Sequence, residues 1–164
     1  MKNRTKLLIG TATIIIIVGI ALATPIVKLA SPLLSVGNQK ADIDKTGGGT
    51  DSSGQPFTIE LKTEGASTFS TQVAAFAVGG QNGWHSHPGL VAVTLLSGKI
   101  RWFDENCKGT AYKAGDSWVE GSQLHAFRNI GNENVQLMAW FITAKGQPLR
   151  TDEAAPACAG KFGL

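Results

Sequence analysis

Two of the three histidines in this chain stand one residue apart at the start of an apolar run. They are His85 and His87, in the stretch WHSHPGLVAVTLLSG over residues 84–98. Successive side chains of a β-strand point to opposite faces, so on a strand both imidazoles face the same way, about 7 Å apart. Two imidazoles on one face suit a shared metal ion. Two solvated loop histidines are the alternative that this stretch leaves open.

The third histidine, His125, follows about 40 residues later in EGSQLHAFRN, which predicts a turn that enters a strand. A site with all three imidazoles therefore requires a fold that places these two segments side by side. The sequence also offers Asp116, Glu120 and Gln123 near this histidine as hydrogen-bond partners of an imidazole, without a reason to choose one.

The segments around the histidines have the two-residue period of β-strands. In FTIELK, Phe57, Ile59 and Leu61 alternate with polar residues, which predicts a half-buried strand. Further strands are predicted in STFSTQVAAF, GLVAVTLL, KIRWFDEN and VQLMAWFITA, with turn residues between them. No segment between residues 56 and 150 has a helical period with capping residues. Short strands with turns every ~8–12 residues predict an antiparallel barrel or a double-sheet sandwich.

An uncharged apolar segment, residues 7–27, precedes these strands. As a helix, its 21 residues extend ~31 Å, which is enough to cross the hydrocarbon core of a bilayer. Positive charges in residues 1–6 predict that this end stays in the cytoplasm and that the domain lies outside. Two interpretations remain open. An uncleaved anchor is favoured by the apolar residues that continue past 21–23, and a signal peptide would be cleaved after Ala23.

The positive net charge of the chain, +3, comes from lysines and arginines that flank this apolar segment. The remainder of the chain is close to neutral, so no basic surface is expected and no nucleic-acid partner is predicted. Residues 28–55 are rich in glycine, serine and polar side chains. This composition predicts a flexible linker that holds the domain away from the membrane.

The chain has two cysteines, Cys107 and Cys158, and a compartment outside the cytoplasm permits them to pair. A disulfide would join the C-terminal tail, residues 151–164, to a turn of the domain. Its loop of roughly 50 residues would restrict the unfolded chain by ~3–4 kcal/mol. The alternative is that one thiol acts as a nucleophile or a metal ligand.

The segment around the first two histidines resembles the first sequence motif of the cupin superfamily, whose members are small double-sheet β-barrels. Gly79, His85, His87 and Gly98 have the spacing of that motif. The motif also has a glutamate that is separated from its last glycine by six intervening residues. In this chain that position is Val91, which cannot bind a metal ion.

The segment around the third histidine resembles the second cupin motif. Gly115, His125 and Asn129 have its spacing, although the turn is one residue shorter and Glu120 replaces the usual proline. The resemblance covers residues 57–145. It implies an all-β fold, a cupin-like double-stranded β-helix (jelly-roll) barrel over residues 56–150. The apolar segment at residues 7–27 would precede this barrel as one N-terminal transmembrane helix.

The resemblance implies a metal site made of three neutral imidazoles, those of His85, His87 and His125, with an open position on the ion. Zn²⁺, Fe²⁺, Mn²⁺, Ni²⁺ and Cu²⁺ all suit such ligands, and affinity order does not choose among them. Without the glutamate the site gains one unit of positive charge, which favours an anionic ligand such as a carboxylate or an enolate. A barrel whose inward histidines bind no metal is the alternative.

A likeness to small exported cupins, which share an early cysteine and a PAC-like end, again points outside the cytoplasm; here these are Cys107 and the PAC at 156–158. Two functions remain open at this point. One is a metal-dependent enzyme, such as a dioxygenase, an isomerase or a hydrolase acting on a small polar or anionic molecule. The other is a cell-surface module that binds a small ligand with or without metal. No catalytic residue is assigned, and a homodimer is a family expectation.

Overall fold

Antiparallel strands make up almost all of the regular structure. The computed structural model describes residues 29–164, and in this range it has twelve strands and one short 3-10 helix. The strands are β1 (Leu33–Gln39), β2 (Ile43–Thr50), β3 (Pro56–Thr63), β4 (Ser67–Phe76), β5 (His85–Ser86), β6 (Leu90–Ser97), β7 (Lys99–Asp104), β8 (Gly109–Lys113), β9 (Ser117–Glu120), β10 (His125–Asn129), β11 (Val135–Ala144) and β12 (Thr151–Asp152).

Ten of these strands form two five-stranded sheets, in the orders β1-β4-β11-β6-β9 and β12-β5-β10-β7-β8. From β4 to β12 the chain passes repeatedly from one sheet to the other, as it does in a jelly roll. The expected all-β, jelly-roll fold is therefore confirmed.

The core lies between the two sheets and follows the alternation seen in the sequence. On β11, Val135, Leu137, Ala139 and Phe141 are buried, while the residues between them are exposed. They pack with buried residues of β4, β6, β7 and β10 in one cluster. Burying each large side chain of this kind contributes about 1.5–3 kcal/mol, so the alternation fixes which face of the strand points inward.

Gly98 makes the turn that carries the chain from β6 in one sheet to β7 in the other. Its φ of +79° lies in the left-handed region, which side chains other than glycine rarely adopt. A Cβ atom at this position would also lie 2.7 Å from Cγ2 of Val135. The glycine that ends the first motif is therefore required by the backbone and by the packing of β11.

Residues 29–55 do not form the flexible linker predicted over 28–55. β1 pairs with the edge of β4, with Val36 opposite Ser70, and a bridge between Ala30 and Ala75 extends this pairing. β2 pairs along its whole length with β3. Almost every side chain of β1 and β2 is exposed, so backbone hydrogen bonds define these strands. Such strands leave no burial pattern in the sequence, which explains the incorrect prediction.

The β2–β3 hairpin, residues 43–63, is a separate two-stranded sheet. The strand predicted in FTIELK is confirmed as β3, but Phe57 and Ile59 are 54% and 57% exposed, so its predicted half-burial is wrong. They face Gly49 and Gly47, which offer no side chain across the ladder. β3 belongs to neither barrel sheet, although the barrel was predicted to begin at residue 56. Alternation shows which side chains share a face; it does not show that another element covers that face.

The predicted membrane anchor or signal peptide, residues 7–27, and the short stretch before it lie outside the described residues. Between residues 29 and 164, no helix is both long enough and apolar enough to span a bilayer. Anchor and signal peptide both stay predictions.

A disulfide joins Cys107 to Cys158, as predicted, with an S–S distance of 2.05 Å. Within the described range no cysteine is free, so the thiol alternative is wrong. The bridge attaches the C-terminal tail to the turn after β7, and the 3-10 helix Ala159–Phe162 follows at once. Near this bridge a second apolar cluster, which includes Trp84 and Phe103, is buried.

Candidate metal centre

The three histidines come together at one end of the second sheet. His85 begins β5 and His125 begins β10, and the two are directly opposite in the antiparallel ladder. Their ring centroids are 4.3 Å apart. His87 follows β5, and its ring centroid lies 4.8 Å from that of His85 and 5.1 Å from that of His125. All three are buried, so the alternative of solvated loop histidines is wrong.

Each imidazole is oriented by a backbone carbonyl. Nδ1 lies 2.9 Å from the Gly83 oxygen in His85, 2.7 Å from the Leu149 oxygen in His87 and 2.8 Å from the Gln123 oxygen in His125. A carbonyl oxygen accepts hydrogen bonds and donates none, so each Nδ1 carries the proton and donates it. In the neutral ring Nε2 then has a free electron pair. This is the tautomer that binds metal ions through Nε2.

A carboxylate completes the group, which corrects the prediction of three imidazoles without one. Glu120 is at the end of β9 and is directly opposite Val91 of β6 in the ladder. Its Oε2 lies 3.3 Å from Nε2 of His87 and 3.3 Å from Nε2 of His125. Val91 occupies the position of the motif glutamate and has no carboxylate. Glu120, at the same register on the neighbouring strand β9, therefore supplies one. The predicted extra unit of positive charge does not exist.

Two indole groups fix the other oxygen of Glu120. Trp102 and Trp118 donate from Nε1 to Oε1 at 2.9 and 2.7 Å. Oε1 accepts from both indoles, so Oε2 is left to face the histidines. Trp102 also stacks on the ring of His125, with centroids 5.7 Å apart and planes 20° apart. The tryptophans position the carboxylate as well as filling the core.

Burial and neighbouring groups shift the pKa values of His85, Glu120 and His125, and not all in the same direction. Burial, together with His125, Arg150 and His87, lowers the pKa of His85 to about 2, so this ring is neutral. Burial works against charge on Glu120, but His125, His87 and Trp118 hold the pKa of its carboxyl well below the ordinary value. Burial also works against charge on His125, yet the adjacent Glu120 raises the pKa of that ring. Glu120 is therefore ionised.

These four side chains fit a divalent transition metal. Their ligand atoms all lie within 4.8 Å of one another, close to twice a metal–ligand bond of about 2.0–2.2 Å. Nε2 of His87 and Nε2 of His125 are buried and have no hydrogen-bond partner among the described residues. Buried electron pairs that face one another are costly unless a cation lies between them. Three imidazole nitrogens and one carboxylate oxygen are ligands that such a cation prefers.

A cavity of about 120 Å³ opens beside this group, between the two sheets. His85, His87 and Glu120 line one side of it. The remaining walls are mostly apolar, from side chains that include Phe76, Val91, Phe127, Leu137 and Phe141. A water molecule needs about 10–15 Å³ by this measure, so the cavity has room for a small organic molecule.

The C-terminal segment contributes to the site from outside the two motifs. The Leu149 carbonyl orients His87, and Arg150 lines the cavity. Ser86 of β5 donates to Glu153 at 2.9 Å, which ties the histidine strand to this segment. The Cys107–Cys158 disulfide attaches the residues after this segment to the turn that follows β7.

Sequence reasoning missed the direct role of Glu120 and the presence of Arg150 in the cavity. The available signal for Glu120 was the alternation in SWVE, which places it on the same buried face as Trp118. A buried carboxylate next to a predicted metal-binding histidine is a candidate ligand. Nothing local marks Arg150, because only the fold brings it to the cavity.

The family model described as the cupin domain matches residues 72–141, a stretch that includes all four members of the group. No curated protein matches the chain significantly.

Several solved structures are similar to the chain. An uncharacterized conserved protein with a double-stranded β-helix domain, from Klebsiella pneumoniae, is 23% identical with a TM-score of 0.46, over 52% of this chain and 76% of its own. The Cnp3 cupin domain of Schizosaccharomyces pombe is 17% identical with a TM-score of 0.43, over 64% and 89%. A predicted oxalate decarboxylase from Thermotoga maritima is 22% identical with a TM-score of 0.41, over 49% and 83%.

Proposed function

We propose that this chain, whose residues 72–141 match the cupin-domain family model, binds one divalent transition metal ion and uses it to hold a small molecule in the barrel cavity. The ligands would be Nε2 of the three histidines and Oε2 of Glu120. One observation carries this proposal: four buried ligand atoms lie within 4.8 Å of one another, and two of the nitrogens have no hydrogen-bond partner in the described part of the chain.

The ligands indicate a class of ion, the divalent transition metals, and do not select one element within it. Three imidazoles and one carboxylate suit Fe²⁺, Mn²⁺, Zn²⁺, Ni²⁺ or Cu²⁺, and four protein ligands leave an open position on an ion that accepts five or six. Such an ion supplies Lewis acidity toward an oxygen of a bound molecule or toward a water. Small polar or anionic molecules with such an oxygen are the proposed ligands, and a dioxygenase, isomerase or hydrolase activity is the enzymatic form of the proposal.

The residues of the chain do the positioning. The three carbonyls that accept from Nδ1 hold the imidazoles in one tautomer, and the two indoles hold Glu120 with Oε2 inward. The apolar walls exclude water from the bound molecule and so strengthen its interaction with any charge in the cavity.

A metal-free module that binds a small ligand at the cell surface is the second candidate, and one observation favours it. Glu120 raises the pKa of His125, so a proton on this ring also compensates the carboxylate. The 3.3 Å contact between the two groups lacks hydrogen-bond geometry, however, and a single proton leaves Nε2 of His87 without a partner. The metal-binding proposal accounts for both nitrogens.

We also propose that the domain works outside the cytoplasm, either anchored by residues 7–27 or secreted after cleavage. The disulfide supports an oxidising compartment. A membrane-impermeant thiol reagent, applied with a reductant to intact cells, should label Cys107 and Cys158. Labelling only after lysis would contradict this location. The mass of the mature chain separates anchor from cleaved signal peptide.

The test of the metal proposal is elemental analysis of the full-length chain. The chain is loaded with each candidate ion, exchanged into metal-free buffer and analysed for metal per chain. We expect one ion per chain for the wild type. His87→Ala should lose it, because this change removes one ligand and the group that Leu149 orients.

The matched control is Glu60→Gln, an exposed carboxylate on the β2–β3 hairpin, which should keep the metal. Circular dichroism of each variant shows whether the fold is retained. A wild type that retains no transition metal would contradict the proposal and favour the metal-free module. Full metal content in a folded His87→Ala variant would contradict the ligand set.

A further inference from the structure

Arg150 is the only lysine or arginine among the described residues that line the cavity. It lies between β11 and β12, and its side chain is 26% exposed, so it stands where the cavity meets solvent. Its guanidinium is held on two sides. Nε donates to Oδ1 of Asp152 at 2.8 Å, Nη2 donates to the same oxygen, and Nη1 donates to the Asn82 carbonyl at 2.9 Å. A guanidinium has five N–H groups, so two remain for a ligand.

The charges around the cavity favour an anion. With a divalent ion, the carboxylate of Glu120 and three neutral imidazoles, the metal centre has one unit of positive charge. Arg150 adds a second unit, and its partner Asp152 is 57% exposed, where water screens its charge. Glu120 is the only carboxylate lining the cavity in the described part of the chain. An anionic ligand would therefore be attracted by two cationic groups and repelled by one buried carboxylate.

The side chains that line the cavity indicate which kind of anion would bind there. The walls of the cavity are mostly apolar, and Leu137 and Phe141 are among the side chains that form them. An inorganic anion would leave this apolar surface without contact. A carboxylate would bind Arg150, and a hydrocarbon body attached to it would contact the apolar walls. The cavity volume of about 120 Å³ limits that body to a few carbons.

We propose that Arg150 is the specificity-determining residue of this cavity and selects a small monocarboxylic acid with a hydrocarbon body. The carboxylate accepts from the two remaining N–H groups of Arg150, and the hydrocarbon part packs on Leu137 and Phe141. A second oxygen on the hydrocarbon part would be the one that faces the open position of the ion. The inference rests on the proposed function for the charge of the metal ion. It goes beyond it by naming the ligand class and a residue outside both sequence motifs that recognises it.

The test compares butyrate with butyramide, which have the same shape and differ in charge. Each is titrated calorimetrically into the full-length chain, metal-loaded and after chelation. In the loaded protein butyrate should bind at least about tenfold more tightly than butyramide, because hydrogen bonds to charged groups contribute more than neutral ones. Arg150→Gln should remove this difference by weakening butyrate alone. Metal content is measured in the same samples.

Two further variants separate recognition from support of the fold. Asp152→Asn keeps Arg150 and removes its counter-charge, so butyrate should bind as tightly as in the wild type or more tightly. Arg128→Gln is the matched control. Arg128 also donates to a carbonyl of the C-terminal tail, that of Phe162, but it does not line the cavity. This variant should bind both probes as the wild type does.

Each contrary result has a distinct meaning. Equal affinity for the two probes, or no butyrate binding, in a chain that holds its metal overturns this inference and leaves the metal centre intact. Equal losses in Arg150→Gln and Asp152→Asn overturn it too, because Arg150 would then act only by holding the segment. A chain without metal overturns the proposed function. If that chain still prefers butyrate and loses the preference with Arg150→Gln, the role of Arg150 is supported.

Discussion

The candidate metal centre and the β2–β3 hairpin have opposite patterns of burial. At the centre, three imidazoles and a carboxylate are buried, while on the hairpin Phe57 and Ile59 are more than half exposed. Burying polar groups costs free energy, so a protein retains them where they have a use. Exposed apolar residues on a two-stranded ribbon carry no such cost within the fold. The two regions therefore predict opposite responses to substitution.

The C-terminal tail should show the largest effect, because its disulfide supports the segment that orients His87. The double variant Cys107→Ser/Cys158→Ser opens a bridge between residues 51 apart and should lower the free energy of unfolding by about 3–4 kcal/mol. Urea titration measures it. Wild type in reductant should match the variant. An unchanged midpoint in both would show that the tail is held without the bridge.

Glu120→Gln should separate metal binding from stability. The amide oxygen still accepts from Trp102 and Trp118, so the metal-free fold should lose less than about 1 kcal/mol. The ion loses its only anionic ligand, and metal affinity should fall by about a hundredfold or more, measured by competition with a chelator. Similar affinities in variant and wild type would remove Glu120 from the ligand set.

Trp102→Phe should have a smaller effect on the same measurement. It removes one of the two donors to Oε1 of Glu120 and should weaken metal binding by about tenfold, the lower end for groups that support a ligand. Trp140→Phe is the matched control, because Trp140 is partly exposed on the outer side of β11. Equal behaviour of the two variants would show that the indole does not position the carboxylate.

Metal affinity should depend on pH through His125. Glu120 raises the pKa of this ring above its ordinary value of 6.5, so below the raised pKa a proton occupies the atom that must bind the ion. The apparent affinity should therefore fall as pH falls through that pKa, by up to about tenfold per pH unit, and stay constant above it. Titrations in buffers of different ionisation enthalpy count the released proton. Constant affinity below pH 6.5, the ordinary histidine pKa, would contradict this account.

The hairpin should show the smallest effect. Phe57→Ser and Ile59→Ser should each change the free energy of unfolding by less than about 0.5 kcal/mol and leave metal affinity unchanged. Ile100→Ala, at a fully buried core position, should cost about 2–5 kcal/mol in the same urea titration. A hairpin variant as destabilising as Ile100→Ala would show that its apolar face is covered in solution.

The sequence predicted what depends on local spacing. Side-chain alternation predicted that the rings of His85 and His87 face the same way, and both lie in the buried group. Apolar patterns and turn residues predicted the strands β4, β6, β7 and β11. Glu120 was missed because its place opposite Val91 depends on how two distant strands pair, which local patterns do not contain. Arg150 was missed for the same reason.

The incorrect predictions concern strands that pair through their backbones while most of their side chains stay exposed. β1 and β2 pair through the backbone while their side chains stay in water. The glycines and serines of this segment therefore predicted a linker instead of strands. Phe57 and Ile59 alternate like a buried strand, yet no other element covers them. Periodicity predicts a shared face, and tertiary structure decides whether that face is buried.

X-ray absorption spectroscopy of the metal-loaded full-length chain tests the central claim most directly. We expect the ion to be bound by three imidazole nitrogens and one carboxylate oxygen from the protein, and we expect this coordination to change in Glu120→Gln. Fewer than three imidazoles, or a spectrum identical in wild type and Glu120→Gln, would contradict the assignment of this buried group as one metal centre.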